Sequence, residues 1–363
     1  MKEISGKKWV VCSVGILFLL IIFMALLTYI IDPYFHYHEP FSWVRYRLYE
    51  QRYINDGISR HFEYDAVITG NSLSENTKTS EFDELFACKS IKLPYSGAGF
   101  KELWGNLDRT LSYNPSVRQV LVIMDYDDIA RDKDYTRYTE YPDYLYDDSI
   151  WNDGSYLWNK NVLYHGILYN VLMTAADIPS TTFDEYSAWE SQTGADVVLP
   201  IIGHIRQPEE ISVLEYGEEQ ERMVADNLNA NIIPVIKKYP QVRFYLVYSP
   251  PSIAKWCGYY NNGEIPCRIE SGKTAAEILL QEENVQLYSF LDEFDMVCDL
   301  DNYRDTIHFK SEINSYFLEC IANGRKRLTS ENYGEHMDLI KNFYTKYDYL
   351  SLNTYESERT KEN

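Results

Sequence analysis

A long apolar segment near the N-terminus places the tightest limit on what this chain can be. Trp9 to Ile31 contains no charged residue. At 1.5 Å per residue, a helix of that length would extend about 35 Å, enough to cross the ~30 Å hydrocarbon core of a bilayer. The run is too long for the apolar region of a signal peptide, and no Ala-x-Ala-like cleavage site follows it. The segment therefore predicts one uncleaved transmembrane signal-anchor.

Charged residues on either side of this segment predict its orientation. Lys2, Lys7 and Lys8 precede it, whereas Asp32 and Glu39 follow it. Basic residues that flank a membrane span tend to stay on the cytoplasmic side. We therefore expect a single-pass protein of the cell membrane, with a cytoplasmic N-terminus and an extracytoplasmic domain.

Length and charge predict a large globular domain that does not bind nucleic acid. The 363 residues are 45% hydrophobic and carry a net charge of −21. A sizeable core is therefore available, whereas the clustered Lys and Arg that phosphate binding needs are not.

We expect the chain to divide into four segments. These are a cytoplasmic tip and span over 1–31, a juxtamembrane aromatic segment over 32–63, one large domain over 64–330 with an insertion at about 126–210, and a polar C-terminal helix and tail over 331–363.

Strand-like and helix-like patterns alternate along the large domain, which favours an α/β fold with a parallel sheet between helices. The predicted strands are Asp65–Thr69, Ser90–Leu93, Gln119–Met124, Val242–Tyr248, Gln286–Ser289 and Met296–Cys298. The predicted helices are Phe100–Leu111, Asn161–Ala176, Ile211–Lys238, Thr274–Glu283 and Ser311–Asn323.

A serine follows the first of these predicted strands. Gly70 and Asn71 interrupt the apolar run, and a helical pattern begins shortly after Ser72. A serine in this position lies at the carboxyl edge of a parallel sheet, where open α/β sheets place their chemistry. Because its hydroxyl is a poor nucleophile until a base removes the proton, the site requires a histidine.

A histidine with an acidic partner occurs near the other end of the domain. Asp305 and His308 are three residues apart, immediately before the helical pattern that starts at Ser311. On a helical turn this spacing places both side chains on one side, so that Asp305 orients the imidazole and His308 faces Ser72. The pattern predicts Ser72 as nucleophile, His308 as general base and Asp305 as the orienting carboxylate.

These two motifs, in this order, resemble those of the SGNH (GDSL-type) hydrolase family. The stretch of this chain that matches the family's first block is Gly-Asn-Ser-Leu at 70–73. The stretch that matches its last block, Asp-x-x-His, is Asp-Thr-Ile-His at 305–308. The resemblance covers roughly Asp65 to Gly324. It implies a flavodoxin-like three-layer fold with a parallel sheet, here preceded by one transmembrane helix, and a Ser-His-Asp triad that transfers acyl groups.

Two positions depart from the family pattern, and both concern the oxyanion hole. The Asp that usually precedes the serine is Asn71, and the block that usually holds an Asn reads Met-Asp-Tyr-Asp-Asp at 124–128. In the family that Asn donates to the oxyanion, which an ionised Asp cannot do. Losing one such donor costs about 2.7–4 kcal/mol of transition-state stabilisation. The remaining candidates are the backbone N–H groups of Ser72, of Gly97 as first choice and of Gly99 as second, and the side chain of Asn71.

The resemblance and the predicted anchor together favour an enzyme of the cell envelope. Anchored proteins of this kind include polysaccharide O-acyl esterases and transferases and a protein of D-alanyl-lipoteichoic acid synthesis. By that resemblance we expect a serine esterase or O-acyltransferase that acts on an envelope glycopolymer or acylated carbohydrate, with envelope assembly proteins as partners and without a metal or cofactor. The alternative is a non-catalytic scaffold or glycan-binding component, because the family Asn is missing and Tyr and Trp are dense between 135 and 158.

The cysteines allow a disulfide in an outward-facing domain. Cys12 lies in the predicted span and the other five follow it. Cys257 and Cys267 bracket a loop-like stretch, and we expect them to pair. A metal site is the weaker interpretation, because there is no Cys-x-x-Cys motif and no nearby His.

Overall fold

A computed structural model describes residues 6–138 and 141–353. The strands are β1 (Ala66–Gly70), β2 (Ser90–Pro94), β3 (Gln119–Met124), β4 (Arg243–Tyr248), β5 (Val285–Ser289) and β6 (Arg327–Leu328). The helices are α1 (Gly6–Ile31), α2 (Gln51–His61), α3 (Thr79–Phe86), α4 (Phe100–Tyr113), α5 (Gly154–Leu157), α6 (Val162–Ala175), α7 (Ala195–Ile202), α8 (Glu218–Asn227), α9 (Ile233–Lys238), α10 (Ile253–Asn261), α11 (Ile265–Leu279), α12 (Phe294–Cys298), α13 (Ser311–Ala322) and α14 (Tyr333–Lys346).

The described residues form two compact units. The first comprises those within Met1–Glu63 and Glu140–Thr182, and the second those within Tyr64–Thr139 and Phe183–Asn363. The domain boundaries expected from the sequence stay predictions.

The second unit is built on a six-stranded sheet of order β2-β1-β3-β4-β5-β6. Strands β1 to β5 are parallel, and β6 is antiparallel to β5 at the edge. Ala66, Val67 and Ile68 of β1 are all fully buried. Strands that are apolar on both faces are typical of parallel sheets covered by helices. The α/β prediction with a parallel sheet is confirmed.

Several predicted elements are wrong in type or position. Met296–Cys298, expected as a strand, belongs to helix α12, and the sequence pattern does not predict β6. The helix expected from Ile211 begins only at α8, because the extended backbone of Gly217 precedes it as the N-cap. The helix expected from Thr274 begins nine residues earlier, at the start of α11.

The expected disulfide between Cys257 and Cys267 is also wrong, because the stretch around them is helical. Cys257 lies on α10, which Ser252 caps by accepting a hydrogen bond from the N–H of Lys255. Cys267 lies in the first turn of α11, next to Pro266. All six cysteines have free thiols.

The first unit contains α1, whose most apolar window has a mean hydropathy of 3.1. Among the described residues it is the one helix long and apolar enough to cross a membrane. The existence of this helix agrees with the predicted span, and its orientation stays a prediction.

Asp32 organises the chain directly after α1. Its backbone has a φ of 41°, and its buried carboxylate accepts hydrogen bonds from the N–H groups of His36, Tyr37 and His38 at 2.8–3.1 Å. The hydroxyl of Tyr156 donates a fourth bond at 2.7 Å. A buried carboxylate is stable only when its oxygens are paired in this way. The side chain therefore fixes how the chain leaves the helix.

We expect Asp32→Ala to destabilise the first unit by about 3 kcal/mol, because it leaves several buried donors without an acceptor. Thermal unfolding of the detergent-solubilised full-length protein, followed by near-UV circular dichroism, measures this effect. Asp148→Ala is the control, since that side chain is 93% exposed and its ion pair with Arg60 should contribute little. Equal unfolding temperatures for the two variants would contradict the role of Asp32.

Candidate active site

Ser72 follows β1, a strand that has a neighbour on each side. Gly70 at the end of β1 is level with Pro94 of β2 and with Ile123 of β3. The strand order reverses here, and open α/β sheets form a ligand crevice at such a point. Gly70 has a φ of 154°, and a Cβ atom there would lie 2.6 Å from the carbonyl oxygen of Ile123. Glycine is therefore required for the chain to pass β3 and deliver Ser72 to this edge.

The turn that holds Ser72 is fixed by the residues around it. Ser72–Ser74 forms a single 3₁₀ turn, and Asn71 caps it because its Oδ1 accepts a hydrogen bond from the N–H of Leu73 at 3.0 Å. The Ser74 hydroxyl donates to the carbonyl oxygen of Asn71 at 2.8 Å. These bonds set the backbone on both sides of Ser72.

The three residues predicted as a triad lie in hydrogen-bond contact. Ser72 Oγ is 2.7 Å from His308 Nε2, and His308 Nδ1 is 2.6 Å from Asp305 Oδ2. A proton on Nδ1, directed at the carboxylate, leaves Nε2 free to accept the serine proton. This is the arrangement that activates a serine for attack on a carbonyl carbon.

Asp305 and His308 lie on a loop, so the expected helical turn is wrong. A bridge between Tyr303 and Phe309 closes the loop, and the N–H groups of Ile307 and His308 donate to Asp305 Oδ1 at 2.9 and 2.8 Å. Burial alone would raise the pKa of Asp305, but the hydrogen bonds from His308 and from these N–H groups lower it to about 2. The carboxylate is therefore ionised wherever the histidine can act as a base.

Asn314 on α13 joins this loop's helix to the serine turn. Its buried Nδ2 donates to the carbonyl oxygen of Leu73 and to the hydroxyl of Thr77, both at 3.0 Å. The contact holds α13 against one residue within the turn and one that follows it. No local sequence pattern marks Asn314 for this role.

The predicted oxyanion donors lie on the connections that follow two paired strands. Asn71 and Ser72 follow β1, whereas Gly97 and Gly99 follow β2. Within the described part of the chain, no residue accepts a hydrogen bond from the N–H of Ser72 or Gly97. Gly97 has a φ of 70°, and Gly99 is the N-cap of α4.

Asn71 also contacts the carboxylate of Asp125, which directly follows β3. Its Nδ2 lies 3.2 Å from Asp125 Oδ2, and Asp125 Oδ1 accepts the N–H of Asp127 at 3.0 Å. Burial and then the charge of Asp127 raise the pKa of Asp125. The amide of Asn71 has a second N–H, for which the described residues supply no acceptor. The side-chain amide of Asn71 thus pairs with a carboxylate and belongs to the residue directly before Ser72.

Two side chains that the sequence did not point to lie beside the histidine. The ring of Trp189 is perpendicular to the imidazole of His308, with centroids 6.0 Å apart. The guanidinium of Arg304 lies 4.0 Å from the centre of the Trp189 ring, and its Nε is 3.6 Å from Asp305 Oδ2. The position of Arg304 next to Asp305 is a usable signal in the sequence, whereas Trp189 is distant from His308 along the chain and gives none.

Lys92 links the segment after the serine turn to the segment before Trp189. It lies fully buried on β2, and its Nζ donates to the carbonyl oxygens of Glu75, just after the serine turn, and of Asp184. Burial lowers the pKa of Lys92 to about 8. The side chain acts as a cross-link between the turn and the segment that leads to Trp189.

Among residues 6–138 and 141–353, no group of three or more His, Cys, Asp or Glu side chains is arranged to hold a metal ion.

No family model and no curated protein matches this chain. A solved structure from Streptococcus pneumonia, described as a "putative platelet activating factor", is 13% identical to it, with a TM-score of 0.39, over 76% of this chain and 89% of that chain. At this TM-score the likeness establishes no shared family.

Asn71→Asp should destabilise the protein most at high pH. The variant places two carboxylates about 3 Å apart, so each raises the pKa of the other. The repulsion is present when both are ionised and is lost as the pH falls through the raised pKa values. Thermal unfolding at pH 8 and pH 5.5 tests this, and Asn71→Asp/Asp125→Asn should restore stability because it recreates the amide–carboxylate pair. A double variant no more stable than the single one would exclude the pairing.

Proposed function

We propose that this protein is a serine esterase or O-acyltransferase, anchored in the cell membrane by α1 with its catalytic unit outside the cytoplasm. The observation that supports this most is the unbroken hydrogen-bonded series from Ser72 through His308 to Asp305, located where the strand order reverses. Such a series performs acyl transfer through a covalent acyl-serine.

In the proposed reaction Ser72 Oγ attacks an ester carbonyl while His308 Nε2 takes the hydroxyl proton. Asp305, ionised, holds the Nδ1 proton and stabilises the imidazolium. Collapse of the tetrahedral intermediate releases the alcohol, which receives the proton from His308. Water, or a sugar hydroxyl, then attacks the acyl-serine by the same steps in reverse.

The oxyanion would be bound by the N–H groups of Ser72 and Gly97 and by the side-chain amide of Asn71. The first two have no acceptor among the described residues, and the third has a second N–H beyond its bond to Asp125. Preorganised donors of this kind are worth about 2.7–4 kcal/mol each in the transition state. Asn71 would thus supply the donor that Asp125 does not.

The proposed substrate is an acylated polymer of the cell envelope. Its support is the resemblance of the two motifs together with an apolar N-terminal helix that fits a membrane span. Trp189, half-buried next to His308, supplies an aromatic ring of the type that stacks on sugars, and Arg304 lies over one of its faces. Envelope assembly proteins are the proposed partners.

A fluorophosphonate probe should form one adduct with the full-length protein, located at Ser72 by intact-mass and peptide analysis. Ser72→Ala and His308→Ala should abolish the adduct while unfolding at nearly the parent temperature, because both remove chemistry and little packing. An adduct retained in folded Ser72→Ala would refute the nucleophile. A folded parent without any adduct would favour the non-catalytic, glycan-binding alternative.

Ser289→Ala is a matched control for the probe. Ser289 Oγ lies 2.8 Å from His336 Nε2, a contact like that of Ser72. However, Ser289 is fully buried, and His336 Nδ1 is 3.9 Å from Asp292, beyond hydrogen-bond distance. We therefore expect this variant to react with the probe as the parent does.

Asn71→Asp should lower kcat for p-nitrophenyl acetate about 10²–10³-fold, as expected when one oxyanion donor is lost. It keeps the oxygen that caps the serine turn, removes the amide N–H groups and adds a carboxylate next to Asp125. Asn71→Asp/Asp125→Asn should recover part of the rate, because it restores an amide at the neighbouring position. An unchanged kcat in the single variant would remove Asn71 from the oxyanion hole.

A further inference from the structure

Helix α6 in the first unit exposes an apolar face. Its exposed apolar and aromatic residues include Tyr164 (67% exposed), Leu168, Val171 and Leu172. His165 and Tyr169 are exposed as well. The helix contains no Asp, Glu, Lys or Arg. A surface helix of a water-soluble unit normally places charged and polar residues on its outer face. Burial of this face against an apolar partner would therefore be favourable.

The inner face of α6 is fixed to the chain that follows α1. A Cβ atom on Gly166 would lie 2.7 Å from Cγ of Pro33. The N–H of Arg47 donates to Asn170 Oδ1 at 3.0 Å, and the N–H of Arg45 donates to the hydroxyl of Thr174 at 2.8 Å. The orientation of the exposed face is thus set by contacts within the first unit.

The residues just before α6 contact α1 itself. The Thr28 hydroxyl donates to the carbonyl oxygen of Leu157 at 3.1 Å, and Trp158 Nε1 donates to the carbonyl oxygen of Ile21 at 3.0 Å. At 1.5 Å per residue, Ile21 lies about 15 Å before the end of α1. If the hydrocarbon core begins at Trp9, Ile21 is about 12 Å inside its far boundary.

We propose that the first unit is a second membrane-contacting element, in which the outer face of α6 and the ring of Trp158 enter the leaflet at the carboxyl end of α1. The partner is the lipid bilayer, because the same segment touches α1 at a level within the core. Trp151, 92% exposed in the same unit, is of the type that concentrates at membrane interfaces. Helices that lie in an interface bury an apolar face about 5–10 Å deep. The inference rests on the proposed membrane placement of α1.

Photo-crosslinking in proteoliposomes of the purified full-length protein tests this. The photoreactive residue p-benzoylphenylalanine replaces Phe18 on α1, Leu168 on α6, or Leu339 on α14, one at a time. Leu339 is the matched control for Leu168, since the two side chains are 48% and 47% exposed. Lipid adducts are counted by mass spectrometry after irradiation. We expect the yield at Leu168 to approach that at Phe18 and to exceed that at Leu339 several-fold.

The three positions distinguish the proposed membrane contact of α6 from the proposed membrane placement of α1. Labelling at Phe18 without labelling at Leu168 above the Leu339 level would overturn the second contact and leave the anchor intact. No lipid adduct at Phe18 would instead refute the membrane placement, and with it this inference. Crosslinked dimers at Leu168 in place of lipid adducts would show that a second copy covers the face, and would also overturn the proposal.

Discussion

The contact between Asn314 and the turn after β1 is the interaction on which the candidate site depends. Ser72 and His308 belong to distant parts of the chain, and a single 2.7 Å contact between them would not hold a loop in place. Asn314 contributes two more hydrogen bonds, to Leu73 and Thr77, from a fully buried position. Because a buried amide without partners is costly, the helix and the turn are stable mainly when they are together. The histidine is thereby positioned without substrate.

How much the sequence reveals depends on whether a feature is local. The strand before Ser72, the glycine at its end and the Asp-x-x-His motif are local patterns. The structure places the side chains of Ser72, His308 and Asp305 in hydrogen-bond contact. The fold class followed from alternating patterns for the same reason. Trp189, Lys92 and Asn314 reach the site through contacts between distant segments, so their surroundings in the sequence carry no sign of it.

The wrong predictions have physical causes of the same kind. Cys257 and Cys267 are flanked by Asn, Gly and Pro, which is typical of a loop, yet a serine cap and a proline in a first helical turn fit helices equally well. Asp305 and His308 have helical spacing, yet the bridge from Tyr303 to Phe309 bends that segment into a loop. In both cases tertiary packing decides between two conformations that local sequence permits.

The state of the thiols has a consequence for the chemical durability of the protein. Burial raises the pKa of each cysteine outside α1, to about 12 for Cys88 and Cys257 and to about 11 for Cys298. Oxidants and alkylating agents react with the thiolate, which is a negligible fraction of such groups at neutral pH. These five thiols should therefore react slowly with oxidants and alkylating agents at neutral pH.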